Sequence, residues 1–380
     1  MNLTPYLSFI LILLLFGCQN GTEKSPVDSS EVSTEEATPV KWVTYKAKGN
    51  PTGKNILLVT GDEEYRSEEA MPQLAKILST HHGFDCTVLF AQNPEKLGII
   101  DPNYSSNIPG LEKLATVDLM ILFTRFRSLP TEQMQHIDDY LTVGKPLLAI
   151  RTATHAFNFE DATHAYQHYG WRYKGAKEDW QLGFGKLVLG ETWYTHHGHH
   201  KHQSTRGIIA PTAINHPITN GIADGSIWGS TDVYGIRMPM PNAEPIILGQ
   251  TINRAGEYDE NDLFYGMKET DTEVATVNPA TKEKYNPNDP MPPIAWLKNY
   301  QIPNGQAGTS FTTTIGSASD MLDEEVRRLM VNATYHLLAM DVPEKADVSI
   351  VGSYNPSPYQ FHDDAHWIEQ NLRIADLVEK

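Results

Sequence analysis

The chain has 380 residues, 40% of them hydrophobic and 9% aromatic, enough to bury a sizeable core; length alone suggests two or three domains, though an α/β fold often takes roughly 200–250 residues in one unit. Its formal net charge of −17 argues against a nucleic-acid partner and against an electrostatic membrane patch, since both need clustered Lys and Arg. The charge suits a soluble body that handles neutral or cationic ligands.

In chain order, the first feature is LSFILILLLFG (residues 7–17), an apolar run too short to span a membrane and ending at Cys18. Leu15-Phe16-Gly17-Cys18 resembles a bacterial lipobox, which implies a signal peptide over residues 1–18 and a lipid on Cys18. The expected location is the bacterial cell envelope, lipid-anchored and facing the periplasm or in the outer membrane. Residues 19–40 are polar and acidic, and a linker is expected over 19–50. With Cys18 lipidated only Cys86 remains, in strand-like sequence, so a disulfide framework is excluded and a buried thiol expected.

From residue 54 the pattern alternates between strand and helix. Strands are expected at 54–60, 84–91, 117–124 and 145–150, with helices over 66–81 and from Thr131 to the stop at Gly144. Ser67 and Thr131 are placed to cap those helices. Alternating βα units with apolar strands imply a parallel sheet covered on both faces. Residues 158–205 read as functional loops around a short strand at 186–190, and 253–292 as a polar lid or insertion. Later strands are expected at 244–251, in PPIAWLKNY and in GTSFTTTIG, followed by a helix over 323–340 capped by Asp323. Arg327 and Arg328 read as surface charges on that helix. The domain is expected over 51–343, with 344–380 as an extension packed on it.

Five segments occur in order: VTGDEEYRSEEAMPQLAKIL, GKPLLAIRTATHAF, GETWYTHHGHH, HPITNGI, and SFTTTIGSASD with RRLMVNATYHLLAMDVP. Over about residues 54–343 the chain thereby resembles the ThuA-like (trehalose utilisation) family, within the class I glutamine-amidotransferase-like superfamily. The resemblance implies a flavodoxin-like three-layer sandwich with a mostly parallel central sheet, and a role in carbohydrate metabolism. Amidotransferases of that superfamily carry a cysteine at the elbow after the fourth strand. Here the elbow reads Arg151-Thr152-Ala153-Thr154-His155, which argues against a glutaminase.

In an open α/β sheet, ligands bind beyond the carboxyl ends of the strands. That rule selects residues 61–66, 124–127 and 151–155. His155 is the candidate proton carrier, with Glu64 or Asp232 as its carboxylate partner and Glu63 as a further candidate acid. Arg151, Thr152, Tyr65, Arg66, Trp193, His197, His200 and Tyr234 are the candidate substrate contacts, the aromatic rings as faces for a sugar. Five His in residues 196–202 make a divalent transition metal such as zinc a candidate cofactor, with His197, His199 and His200 as candidate ligands. His216, before Pro217, reads as structural. The expected function is an enzyme acting on a keto-disaccharide or glycoside by acid–base hydrolysis or isomerisation. The alternatives are a non-catalytic sugar-binding lipoprotein and a metal-dependent hydrolase built on the His-rich loop. The expected partner is a small carbohydrate, with no nucleic acid and no membrane contact beyond the lipid.

Overall fold

Asn55–Gly61 (β2) is continuously apolar, and its side chains alternate between two separate cores: Ile56 and Leu58 enter one, Leu57 and Val59 the other. A strand buried on both faces needs cover on both, and this strand has it. The computed structural model describes residues 38–281 and 285–378; Cys18 and the apolar run before it lie outside the described residues. Residues from Pro39 onward form one unit. Among the described residues no helix is long and apolar enough to cross a membrane.

The first strand in the chain, Trp42–Tyr45 (β1), pairs antiparallel with Asp85–Leu89 (β3) and closes one edge of the sheet. It falls within the 19–50 stretch expected to be linker. Ser67–His82 (α1) follows β2, buries Met71, Leu74, Ile77 and Leu78, and stops at Gly83 in the left-handed region. A Cβ on Gly83 would lie 2.1 Å from the Asn50 carbonyl oxygen. Ser67 does not cap α1; its Oγ accepts from the backbone N–H of Gly61 and Asp62 instead. Next come Leu119–Thr124 (β4), Thr131–Thr142 (α2) and Leu147–Ile150 (β5). Thr131 likewise opens α2 without capping it. Where a strand was expected at 186–190, Gly185–Leu189 forms a turn of π-helix.

The remaining strands are Gln203–Ile209 (β6), Ile227–Gly229 (β7), Ala243–Asn253 (β8), Pro293–Tyr300 (β9) and Gly308–Thr313 (β10). The sheet order is β1-β3-β2-β4-β5-β10-β9-β8-β6-β7. Neighbours from β3 to β10 run parallel, and every pair from β10 to β7 runs antiparallel. The expectation of a mostly parallel sheet therefore holds for one half only. The cause is connectivity: parallel neighbours need a long crossover, usually a helix. Among the described residues no α-helix falls between α2 and β10.

Glu324–Leu337 (α3) shares a core with α1 on one face of the parallel half, while α2 packs on the other. Asp323 caps α3, its Oδ1 accepting from Val326 N. Arg327 and Arg328 are buried rather than surface charges. Arg327 donates to the carbonyls of Val348, Met321 and Leu322, and Arg328 to Glu324 and Glu325. The chain beyond residue 343, including Asp364–Gln370 (α4), runs back over α1 and the strand ends.

Candidate functional site

Three neighbouring strands, β2, β4 and β5, end side by side, and the turns that leave them are tied together. Arg125 N donates to Gly61 O at 2.8 Å, and Phe126 N to His155 O at 2.9 Å. Two further segments close on this edge. Residues 195–198 pair antiparallel with 232–235 through a bridge between His196 and Tyr234, with His197 N on Val233 O and Gly198 N on Asp232 O. Gly198 permits the approach: a Cβ there would sit 3.3 Å from Thr251 Cγ2 and 3.4 Å from Asp232 Cβ. Arg66, Phe126, Arg151 and Val233, one on each of four converging segments, hold left-handed φ values of 58°, 48°, 49° and 48°. Each such residue costs about 1–3 kcal/mol, and strain of this kind gathers at functional sites.

Asp232, fully buried, is the centre of the cluster. His196 Nδ1 lies 2.7 Å from its Oδ2, and His200 Nδ1 lies 3.0 Å from its Oδ1. The other nitrogen of His200, Nε2, is 3.5 Å from Glu64 Oε1, and Arg151 Nη2 is 3.7 Å from Asp232 Oδ1. The 2.7 Å contact is an ion pair not aligned as a hydrogen bond, so His196 Nδ1 and Asp232 Oδ2 both lack a hydrogen-bond partner. Ligand atoms of His196, His200 and Asp232 lie within 4.8 Å of one another. Two imidazoles and a carboxylate form a donor set suited to zinc and similar divalent ions.

Beneath the cluster, the Arg151 guanidinium lies 3.7 Å from the Tyr65 ring centroid and 4.9 Å from that of Tyr234. Its Nη1 donates to Thr314 O at 2.6 Å, while Nε and Nη2 have no hydrogen-bond partner. Asp62 holds the adjoining turn: Oδ2 accepts from Thr152 Oγ1 at 2.5 Å, and Oδ1 accepts from the backbone N–H of Glu64 and Tyr65. Glu63 is taken up by Arg125 and Arg127. An aromatic wall completes the crevice, with the His155 ring 4.8 Å from Phe126, 5.1 Å from Trp193 and 5.6 Å from Tyr234.

The electrostatics follow from burial and pairing. Burial opposes ionisation of Asp232, but His196 and His200 outweigh it and hold its carboxyl well below the usual range. Burial works against protonation of His196 too, and Asp232 reverses that, raising its pKa. Desolvation, with Asp62 adding to it, raises Glu64. Burial, helped by Arg125 and Arg151, pushes His155 well below 6.5, so its imidazole is neutral at physiological pH. Burial would lower Arg151, yet Tyr234, Tyr65 and Asp232 keep it a cation.

The structure thus gathers Glu64, His200, Asp232, Tyr234, Trp193 and His155 around one crevice. It corrects other expectations. Arg151, Thr152, Tyr65 and Arg66 are at most 1% exposed and lie beneath the cluster, as deeply buried as Asp232 and Tyr234. Arg66, for example, donates to the carbonyls of Glu63 and Gln360 and stacks over Trp367. His197 turns away, its Nε2 2.5 Å from Pro287 O, and His199 stacks on His202. Neither joins the metal-type cluster, whose second imidazole is His196. The signal in the sequence was the spacing of His196 and His200 with Asp232 downstream, which becomes readable only once the 195–198 pairing is known.

No family model matches the chain, and no curated protein matches it. Among solved structures it is similar to a protein of Parabacteroides merdae described as ThuA-like, with a TM-score of 0.42 and 13% identity over 87% of this chain and 100% of that one. A protein of Bacteroides uniformis with the same description gives a TM-score of 0.41 and 14% identity, over 77% of this chain and 95% of that one. Likenesses this slight leave fold and chemistry to rest on the sheet order and the site geometry.

Proposed function

We propose that the chain is a ThuA-like enzyme that acts on a carbohydrate, a keto-disaccharide or glycoside, by metal-assisted acid–base hydrolysis or isomerisation. The observation that carries the proposal is the His196–His200–Asp232 cluster, whose closest pair of atoms converge at 2.7 Å without sharing a hydrogen bond. The carbohydrate class comes from the five sequence motifs and is supported by the partly exposed rings of Trp193 and Phe126, since pyranose rings stack on such faces. The parallel half of the sheet, with helices on both faces, supports a flavodoxin-type scaffold of the amidotransferase-like kind. Lipidation of Cys18 would hold the enzyme at the bacterial cell envelope.

His196, His200 and Asp232 would hold a divalent ion, and the chemistry it would supply there is Lewis acidity towards a substrate oxygen. Glu64, set against His200 and nearly buried, is the carboxylate placed to carry a proton beside it. His155, neutral, buried and pressed into the aromatic wall, is an imidazole placed to accept a hydrogen bond. Arg151 lies against Asp232 at 3.7 Å from below, His196 and His200 hold that carboxyl ionised, and Asp62 fixes the turn that presents Glu64. Cysteine chemistry has no place, because the left-handed apex of the elbow is Arg151 and Cys86 is buried elsewhere.

The test is elemental analysis of the purified protein, followed by zinc titration of the EDTA-treated protein and turnover on a panel of disaccharides and keto-glycosides. About one metal per chain, lost in His200→Ala, is the expected result. No stoichiometric metal and no zinc binding would remove the ion from the proposal. Turnover by metal-free protein would leave an acid–base enzyme using Glu64 and the histidines alone. Sugar binding without turnover in the metal-loaded protein would favour a binding lipoprotein.

A further inference from the structure

The chain beyond residue 343 lies outside the stretch that resembles the ThuA-like family, yet it supplies a wall of the site. Tyr359 is completely buried, with its ring stacked on Tyr65 at 5.3 Å and edge-on to His200 at 5.4 Å. Both polar ends are tied down. Its hydroxyl donates to Ser230 O at 3.1 Å, and its carbonyl accepts from the Tyr265 hydroxyl. Ser230 lies two residues before Asp232, so one side chain braces both the His200 ring and the segment that carries the carboxylate. The residues on either side are anchored independently. Ser357 N donates to Glu69 Oε2, Arg66 to Gln360 O, and Asn103 Nδ2 to His362 O and Asp364 Oδ1. Phe361, more than half exposed, lies over the Arg125 guanidinium at 4.9 Å at the end of the same run.

We infer that the C-terminal segment is a strap that completes the site, and that Tyr359 is a positioning residue for His200. The inference rests on the reading above that His200 belongs to the functional cluster. The physical reason is that the Tyr359 ring packs against the His200 imidazole. His200 leaves a turn over residues 199–202, and its two nitrogens face Asp232 and Glu64. Those contacts fix the ring in its own plane. Among the described residues the other rings near it are His196, itself part of the cluster, and Tyr65, further away at 6.5 Å. Removing the Tyr359 ring opens a void into which the imidazole can swing, away from the line on which it meets Asp232. Large-to-small changes in such places are costly because the surroundings relax only in part.

The experiment uses the full chain with Tyr359→Phe, Tyr359→Leu and Tyr359→Ala, and two readouts. One is zinc affinity by calorimetric titration. The other is the rate at which diethyl pyrocarbonate modifies His200, followed by peptide mapping with the remaining histidines as internal standards. Tyr359→Phe keeps the ring and loses the bond to Ser230 O, so it is expected to keep the wild-type modification rate of His200 and to bind zinc more tightly than the Leu and Ala variants. Tyr359→Leu and Tyr359→Ala are expected to weaken zinc binding about tenfold or more, the range seen when the partners of metal ligands are removed, and to speed modification of His200 several-fold and selectively. If either variant folds with a lowered melting temperature but unchanged zinc affinity and unchanged His200 reactivity, Tyr359 is packing only and the inference is overturned. If the wild type binds no zinc, the metal reading fails while the modification rates still decide the role of Tyr359.

Discussion

Replacing Asp232 with Asn keeps the volume of the side chain and removes one buried charge. Arg151 then stays fully buried, 3.7 Å from an amide instead of a carboxylate. At that distance and an effective dielectric of about 20, the lost attraction is about 4 kcal/mol, in line with the ~3–5 kcal/mol typical of breaking a buried pair from one side. His196 lessens the damage, because without the carboxylate that raises its pKa, burial disfavours its protonated form and it adds no stranded charge. With about 2.1 cal/mol/K of unfolding entropy per residue, 380 residues convert 4 kcal/mol into a fall in melting temperature of about 5 °C. Differential scanning calorimetry of metal-free protein measures it. The double variant Asp232→Asn with Arg151→Met is the sharper assay, since it removes both charges. Its cost is expected to fall short of the sum of the single costs by at least about 1 kcal/mol, a coupling usual for contacting residues. Additive costs, or an Asp232→Asn melting temperature equal to wild type, would refute the reasoning.

The ligand assignment separates the histidines of one tract. His196→Ala and His200→Ala should each abolish stoichiometric zinc binding, whereas His199→Ala, whose ring stacks on His202, should leave it unchanged in the same titration. Thr152→Val deletes the hydroxyl that donates to Asp62 Oδ2 while preserving shape. Leaving a buried carboxylate oxygen short of a donor costs about 1–3 kcal/mol, so a melting temperature equal to wild type would show that this bond does not hold the turn. Glu68 supplies a pH test away from the crevice. Burial, opposed by Arg66 and reinforced by Glu69, pushes its carboxyl up to about 8, and neither oxygen has a hydrogen-bond partner. A folded-state pKa above the unfolded value of about 4.3 means that folding takes up a proton between the two. The contribution is complete below about pH 4 and is lost as pH rises through 8. Glu68→Gln is therefore expected to gain melting temperature relative to wild type as pH goes from 6 to 9. A difference that does not change with pH across that window would contradict the assignment.

The parallel half of the sheet was legible because β2, β4 and β5 are short apolar runs set between helix-periodic segments. The antiparallel half was legible only in part. In β6, the sequence QSTRGII, buried positions are filled by Gln203, Ser204 and Thr205, so the polarity that suggested a loop is polarity turned inward. The strand-end rule placed 61–66, 124–127 and 151–155 at one edge of the sheet, where the structure has them, because it depends on topology and not on side chains. Choosing among five histidines required a register. Once His196 bridges Tyr234, the residue before a bend faces Asp232 and the next one faces the 278–287 segment, since adjacent side chains in extended chain point to opposite sides. No local pattern encodes that pairing.

Arg151 shows most clearly where composition misleads. An arginine beside a crevice suggests a hand for the substrate, but the left-handed backbone at the apex of the elbow turns it inward, across Tyr65 and under Asp232. The elbow keeps a strained geometry of the sort that presents a nucleophile, and at its apex it carries a buried counter-ion. A substitution there acts on the charge of Asp232 and only through it on whatever the crevice binds. Arg151→Met should thus weaken zinc binding less than His200→Ala does while costing more stability, a pattern opposite to that of a residue that grips substrate.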